Sequence, residues 1–74
     1  MKKKSEPFII TVIQDLANIS ALVNTHFQNN EKTTQWMNTE NPLLDGKEPV
    51  EMIFSGRTEK LLEIINTNLK NNEL

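Results

Sequence analysis

The residues able to carry out chemistry are few and scattered in this chain. His26 is the only histidine and cysteine is absent, so no cluster of thiolates and imidazoles can hold zinc. A metal site built of carboxylates alone needs several of them converging, and the acids are spread from Glu6 to Glu73. Serine, histidine and acid are all present, as Ser5, Ser20, Ser55, His26 and several carboxylates. None of these serines has the Gly-x-Ser-x-Gly setting that exposes a strained nucleophile at the end of a strand. Gly46 and Gly56 are the two glycines, and their spacing matches no phosphate-cradling loop. The residues thus predict no catalytic group, no metal ligand and no cofactor: a binding protein and not an enzyme. His26 is expected on a helix surface or rim, with a partner contact as the alternative.

The elements that position whatever does the binding must come from one small domain. The chain has 74 residues, and a domain of that size buries only about 60% of the surface its unfolded form exposes. Without cysteine no disulfide supplements so thin a core, which fits a reducing, cytoplasmic compartment. Small folds of this kind gain stability from a partner, so an oligomer or complex is expected. The formal charge is −2 with both signs interspersed, except for the run Lys2, Lys3, Lys4. Residues 1–6 are expected to form a flexible basic tail ahead of a single helical domain at 7–74. The apolar stretch Phe8–Ile13 is too short for a signal peptide and is soon interrupted by Gln14 and Asp15. No stretch approaches the ~20 apolar residues that span a bilayer. Three lysines on an acidic chain make no nucleic-acid surface, so direct nucleic-acid binding is not expected.

Apolar residues recur at helical steps from Pro7 to Gln28, through Ile9, Val12, Ile13, Leu16, Ile19, Val23 and Phe27. Thr11, Gln14, Asp15, Asn18 and Thr25 fall mainly on the other side. Pro7 suits a first helical position, where its missing N–H costs nothing. The β-branched run Ile9–Ile13 offers a short strand as the rival. Phe8, Ile10, Ala17, Ala21 and Leu22 widen the apolar stripe, as expected of a helix that covers its own core and also meets something else.

Asn29 and Asn30 break this pattern, with Asn30 as the expected cap of a short helix from Glu31 to about Asn38. Asn41-Pro42 ends it, because proline drives the preceding residue out of helical dihedrals. Leu43, Leu44 and the turn pair Asp45-Gly46 follow. A third helix begins at Pro49 with Glu48 near its cap and stops at Ser55-Gly56, where glycine can be left-handed. The last helix runs from about Thr58 to Lys70, with Thr58 as the expected cap or Arg57 as the first helical residue, and with Leu61, Leu62, Ile65 and Leu69 along a buried stripe that Ile64 widens. Residues Asn71–Leu74 read as a frayed end. The expected fold is all-α, a small bundle of about four helices: one long, two short and one C-terminal.

Trp36 is expected to anchor the core, with a role as partner hot spot as the alternative. Arg57, just past the glycine stop, is either a solvated helix-start residue or a bidentate contact to carboxylate or phosphate.

The segment Trp36-Met37-Asn38-Thr39-Glu40-Asn41-Pro42-Leu43-Leu44-Asp45-Gly46-Lys47-Glu48-Pro49-Val50-Glu51-Met52-Ile53 resembles the toxin-binding domain of the Xre/MbcA/ParS antitoxins. That family shows Trp, a polar step, Asn-Pro, Leu, Gly, Pro, an apolar pair, a further Gly and a closing helix. The matching residues are Trp36, Asn41, Pro42, Leu44, Gly46, Pro49, Met52, Ile53 and Gly56. The resemblance covers roughly residues 22–70, and its ordered combination is more specific than any single element. These residues mainly make the fold: Trp36 packs under the Asn41-Pro42 turn, a leucine tucks back, Gly46 reverses the chain and Pro49 restarts a helix. On this basis Gly46→Val or Trp36→Ala is expected to unfold the module. Glu48 stands where a threonine-like cap is usual. About 30 residues precede Glu31 and read as one helix, leaving no room for the family's usual N-terminal helix-turn-helix.

The resemblance implies a bacterial antitoxin that binds and neutralises a cognate protein toxin, RES-type or ADP-ribosyltransferase-like and NAD-related, by occluding its active site. It implies no cofactor. The partner-binding residues it suggests, by region, are Arg57, Lys60, Glu63, Asn66, Lys70 and Asn71 on the last helix and tail. A homodimer face is suggested on the first helix, at Phe8, Ile9, Val12, Ile13 and Leu16. The alternatives from the residues alone are a small helical DNA-binding or regulatory protein, or a structural adaptor.

Overall fold

A computed structural model describes residues 8–74, which form four α-helices, one 3₁₀ turn and the segments that join them. The basic tail at 1–6, its lysines and the predicted first helical residue Pro7 lie outside the described residues. The helices are α1 (Phe8–Phe27), α2 (Asn30–Met37), α3 (Pro49–Phe54) and α4 (Thr58–Lys70), with the 3₁₀ turn Pro42–Leu44 between α2 and α3. The long apolar periodicity prevails over the β-branched run, so Ile9–Ile13 is helical and not a strand.

One core unites these elements. Val12, Ile19 and Val23 of α1 meet Met37 of α2, Leu44 of the turn, Met52 and Ile53 of α3, and Leu61 and Ile65 of α4. Burying each such side chain contributes roughly 1.5–3 kcal/mol. Trp36, Phe27, Val50, Ile64, Leu69 and Leu74 pack around the edge of this cluster, partly buried.

The helix ends set the path of the chain. Gln28 closes α1 in a left-handed conformation with φ 53°. The cap of α2 is Asn29 and not the expected Asn30: its Oδ1 accepts from the Lys32 N–H at 3.0 Å, and Asn30 is the first helical residue. A polar tie holds α2 to α1 at the same place. Asn24 Oδ1 accepts from the buried Thr33 hydroxyl at 2.7 Å and from the Asn29 N–H at 3.2 Å. The sharing satisfies Thr33 where an unpaired hydroxyl would cost stability.

Residues 41–47 form a closed loop. The Asn41 N–H donates to Lys47 O at 3.0 Å, Gly46 N–H donates back to Asn41 O at 3.0 Å, and Asn41 Oδ1 accepts from Leu43 N–H at 2.9 Å. Two successive left-handed residues, Asp45 with φ 58° and Gly46 with φ 81°, make the reversal. A Cβ added at Gly46 would meet nothing within 4 Å, so the glycine is needed for its dihedral and not for space. Gly46→Val therefore acts through backbone strain and not through a clash. The left-handed conformation costs a residue with a Cβ roughly 1–2 kcal/mol, so Gly46→Val should lower stability by about 2 kcal/mol and Gly46→Asn by clearly less. Urea denaturation checks the ranking, and an equal loss for both would refute it.

α3 starts at Pro49, which is buried, and Glu51 Oε1 accepts from the Glu48 N–H at 3.0 Å. The acid at position 48 is thus served by a second acid three residues on. α3 ends as the sequence predicts, with Gly56 at φ 79° and Arg57 N–H donating to Met52 O at 2.7 Å.

One sequence expectation about a polar residue is corrected. Thr58 is the first residue of α4 and not its cap, a position held by Arg57 without a side-chain bond. The Thr58 hydroxyl instead donates to Asp15 Oδ2 at 2.8 Å, tying α4 to α1. Asp15 is accordingly half-buried at the helix seam. The end of α4 is also closed and not frayed. Asn72 is left-handed with φ 57°, and the Glu73 N–H donates to Asn68 O at 2.8 Å. That turn brings Leu74 back against the core cluster.

Candidate functional site

The residues that resemble the antitoxin pattern occupy fold-making positions. Leu44, Pro49, Met52 and Ile53 are buried, Asn41 caps the 3₁₀ turn that Pro42 begins, and Gly46 and Gly56 supply positive φ. Trp36 is half-buried, between full core anchor and exposed hot spot. With Phe27, Pro42 and Leu74 it lines an apolar groove of about 510 Å³. His26 is half-buried at the end of α1, its ring edge-on to Phe27 at 5.0 Å.

The residues expected to contact a partner divide in space. Arg57 and Lys60 line one shallow cleft of about 380 Å³ between α4 and the 41–47 loop. Glu63, Asn66, Lys70 and Asn71 are exposed beyond it. At 3.6 residues per turn, Asn66 projects about 120° around the helix from Lys60, so these six residues form a band and not one patch. Lys60 Nζ lies 4.0 Å from Glu63 Oε1, with side chains 67% and 73% exposed. An ion pair so open to water holds neither partner firmly.

The structure adds to the cleft residues that the sequence did not single out. Lys47 and Leu43 line it together with Asp45 and Ile64, over a floor of Leu44 and Met52. Leu43 is 45% exposed although its neighbour Leu44 is buried. The Asp45-Gly46 pair signalled a reversal, but only the closed backbone loop sets Lys47 on the same side as Arg57 and Lys60.

The suggested dimer face is rearranged as well. Val12 is 1% exposed and belongs to the core, and Leu16 packs against it. Val12 is thus corrected from a surface residue to an interior one. Ile9 at 56% and Ile13 at 59% remain exposed, one helical turn apart. Ile10 adjoins them and Phe54 of α3 is also exposed. The side chain of Phe8 lies outside the described residues.

Among the described residues no group of three or more histidine and acidic side chains could hold a metal ion. No described helix is long and apolar enough to cross a membrane.

No curated protein and no solved structure matches the chain. Residues 21–66 match the family of the antitoxin Xre/MbcA/ParS C-terminal toxin-binding domain. The matched segment begins in the second half of α1 and ends in the second half of α4, so it takes in the 41–47 loop, the cleft and most of the buried core. It is well over half of the 74 residues. A fold whose diagnostic residues build turns and core, and whose closing helix displays its polar residues, meets the match on both counts: the chain belongs to the Xre/MbcA/ParS antitoxin toxin-binding domain family.

Proposed function

We propose that the chain is an antitoxin that neutralises a cognate protein toxin by binding over its active-site entrance. The toxin would be RES-type or ADP-ribosyltransferase-like, acting on or with NAD⁺, and the antitoxin would act stoichiometrically in the cytoplasm without catalysis of its own. The observation that carries this reading is membership of a toxin-binding family, joined to an exposed, cation-rich cleft on the closing helix. Ile9 and Ile13, apolar and exposed on α1, are the proposed meeting point of two copies.

Co-expression with the product of a neighbouring toxin gene tests the proposal. Growth should be rescued and a complex should co-purify; toxicity that persists with no complex formed overturns it. A Lys60→Glu variant should keep the melting temperature within a few degrees, because the Lys60–Glu63 pair is exposed and contributes little. The same variant should weaken capture of the toxin, as expected when a rim charge is reversed. Unchanged capture would move the contact away from α4.

A further inference from the structure

Three of the five described cations of this acidic protein share one cleft. Of eight lysines and arginines, Lys2, Lys3 and Lys4 lie outside the described residues, which leaves Lys32, Lys47, Arg57, Lys60 and Lys70. Three of those five, Lys47, Arg57 and Lys60, line the cleft between α4 and the 41–47 loop, where Asp45 is the only acid among the described lining residues. Lys47 and Arg57 are exposed and have no ion-pair partner among the described residues. Lys60 meets only the solvated Glu63 at 4.0 Å. Between these cations lie Leu43, 45% exposed, and Ile64, half-buried. A mainly positive rim around apolar side chains complements a protein segment that carries carboxylates about an apolar residue.

We infer that this cleft binds an acidic segment of the partner. An apolar side chain of that segment rests on Leu43 and Ile64, and its carboxylates reach Lys47, Arg57 and Lys60. Arg57 can hold a carboxylate with two parallel N–H bonds, whereas the lysines act as point charges at the two sides. The apolar side chains between the cations favour protein over nucleic acid, because a phosphate backbone gives Leu43 and Ile64 nothing to bury against. The cleft also has the volume of a small binding pocket, about 380 Å³. Assignment of the acidic segment to a toxin rests on the antitoxin reading above; the chemistry of the cleft does not.

The test is an NMR titration of the isotope-labelled full chain with a short peptide of glutamate, aspartate and leucine. A matched peptide with lysine in place of each acid and a short DNA duplex serve as comparisons. Amide shifts confined to Leu43, Lys47, Arg57, Lys60 and Ile64 are expected with the acidic peptide, and none with the lysine peptide. The double variant Lys47→Glu/Arg57→Glu should weaken binding roughly tenfold or more while leaving the circular dichroism spectrum intact. If that variant unfolds, Lys47→Gln/Arg57→Gln replaces it. Shifts centred on Ile9 and Ile13 or on the Trp36 groove, no shift at all, or equal occupation of the cleft by the duplex would each overturn the inference. Co-expression separates the two proposals. Full neutralisation by the double variant sinks the acidic-segment assignment and leaves the antitoxin reading standing. Failure of the unaltered chain to neutralise sinks the antitoxin reading, and the titration still decides what the cleft binds.

Discussion

Leu61→Ala should lower the stability of this fold by about 2–5 kcal/mol, the range found for leucine truncation in closed cores. Leu61 is 0% exposed and belongs to the cluster in which α1, α3 and α4 meet. Its removal leaves a void that short helices with few other contacts fill badly. The whole domain has roughly 4–11 kcal/mol at its disposal by the usual per-residue scale, so one truncation consumes a large share. The melting temperature should fall by at least about 10 °C, since 1 kcal/mol shifts a domain of this size by about 4–8 °C. Thermal unfolding followed by circular dichroism measures it. A drop of only a few degrees would mean that α4 is not held by this core.

Trp36→Ala comes next in size, at about 2–4 kcal/mol, below the 3–5 kcal/mol of a fully buried aromatic because Trp36 is only half-buried. The indole lies where the end of α1, the C-terminal half of α2, the Pro42 turn and Leu74 converge, so its loss loosens several elements at once. Trp36→Phe should recover more than half of the loss by keeping an aromatic surface against Phe27 and Pro42. Urea denaturation of the three proteins gives the order. Equal stability of Trp36→Phe and Trp36→Ala would show that ring area does not govern this site. Against the roughly 4–11 kcal/mol of the whole domain, the Trp36→Ala loss is a large share.

The turns were the most legible part of this molecule, and the seams the least. Pro42, Gly46, Pro49 and Gly56 each restrict or free the backbone in ways that hold wherever the residue occurs, and each sits where its chemistry predicts. The choice between Asn29 and Asn30 as a cap could not be settled locally. Both have the same side chain, and it is Asn24, five residues before Asn29, that holds this corner to α1. The role of Thr58 was hidden for a related reason. A threonine at a helix start reads as a cap, and only the packing of α4 sets its hydroxyl against Asp15. Val12 was counted with the exposed isoleucines because α1 is apolar over a wide arc, and periodicity alone does not show where the core ends along that arc. The cleft was half legible. Arg57 and Lys60 follow from their place on α4, whereas Lys47 and Leu43 join them only through the bonds that close residues 41–47.

The returned tail gives the molecule one more property. Trp36 is the only tryptophan, and Leu74 is carried to its groove by the left-handed turn at Asn72. Indole emission depends on how much water reaches the ring, so this chain contains its own optical gauge of the tail. A blue-shifted spectrum corresponds to Leu74 seated beside the ring, and a red-shifted one to a tail drawn away. Occupancy of a distant face and release of the tail can therefore be followed separately on the native sequence, with no dye attached.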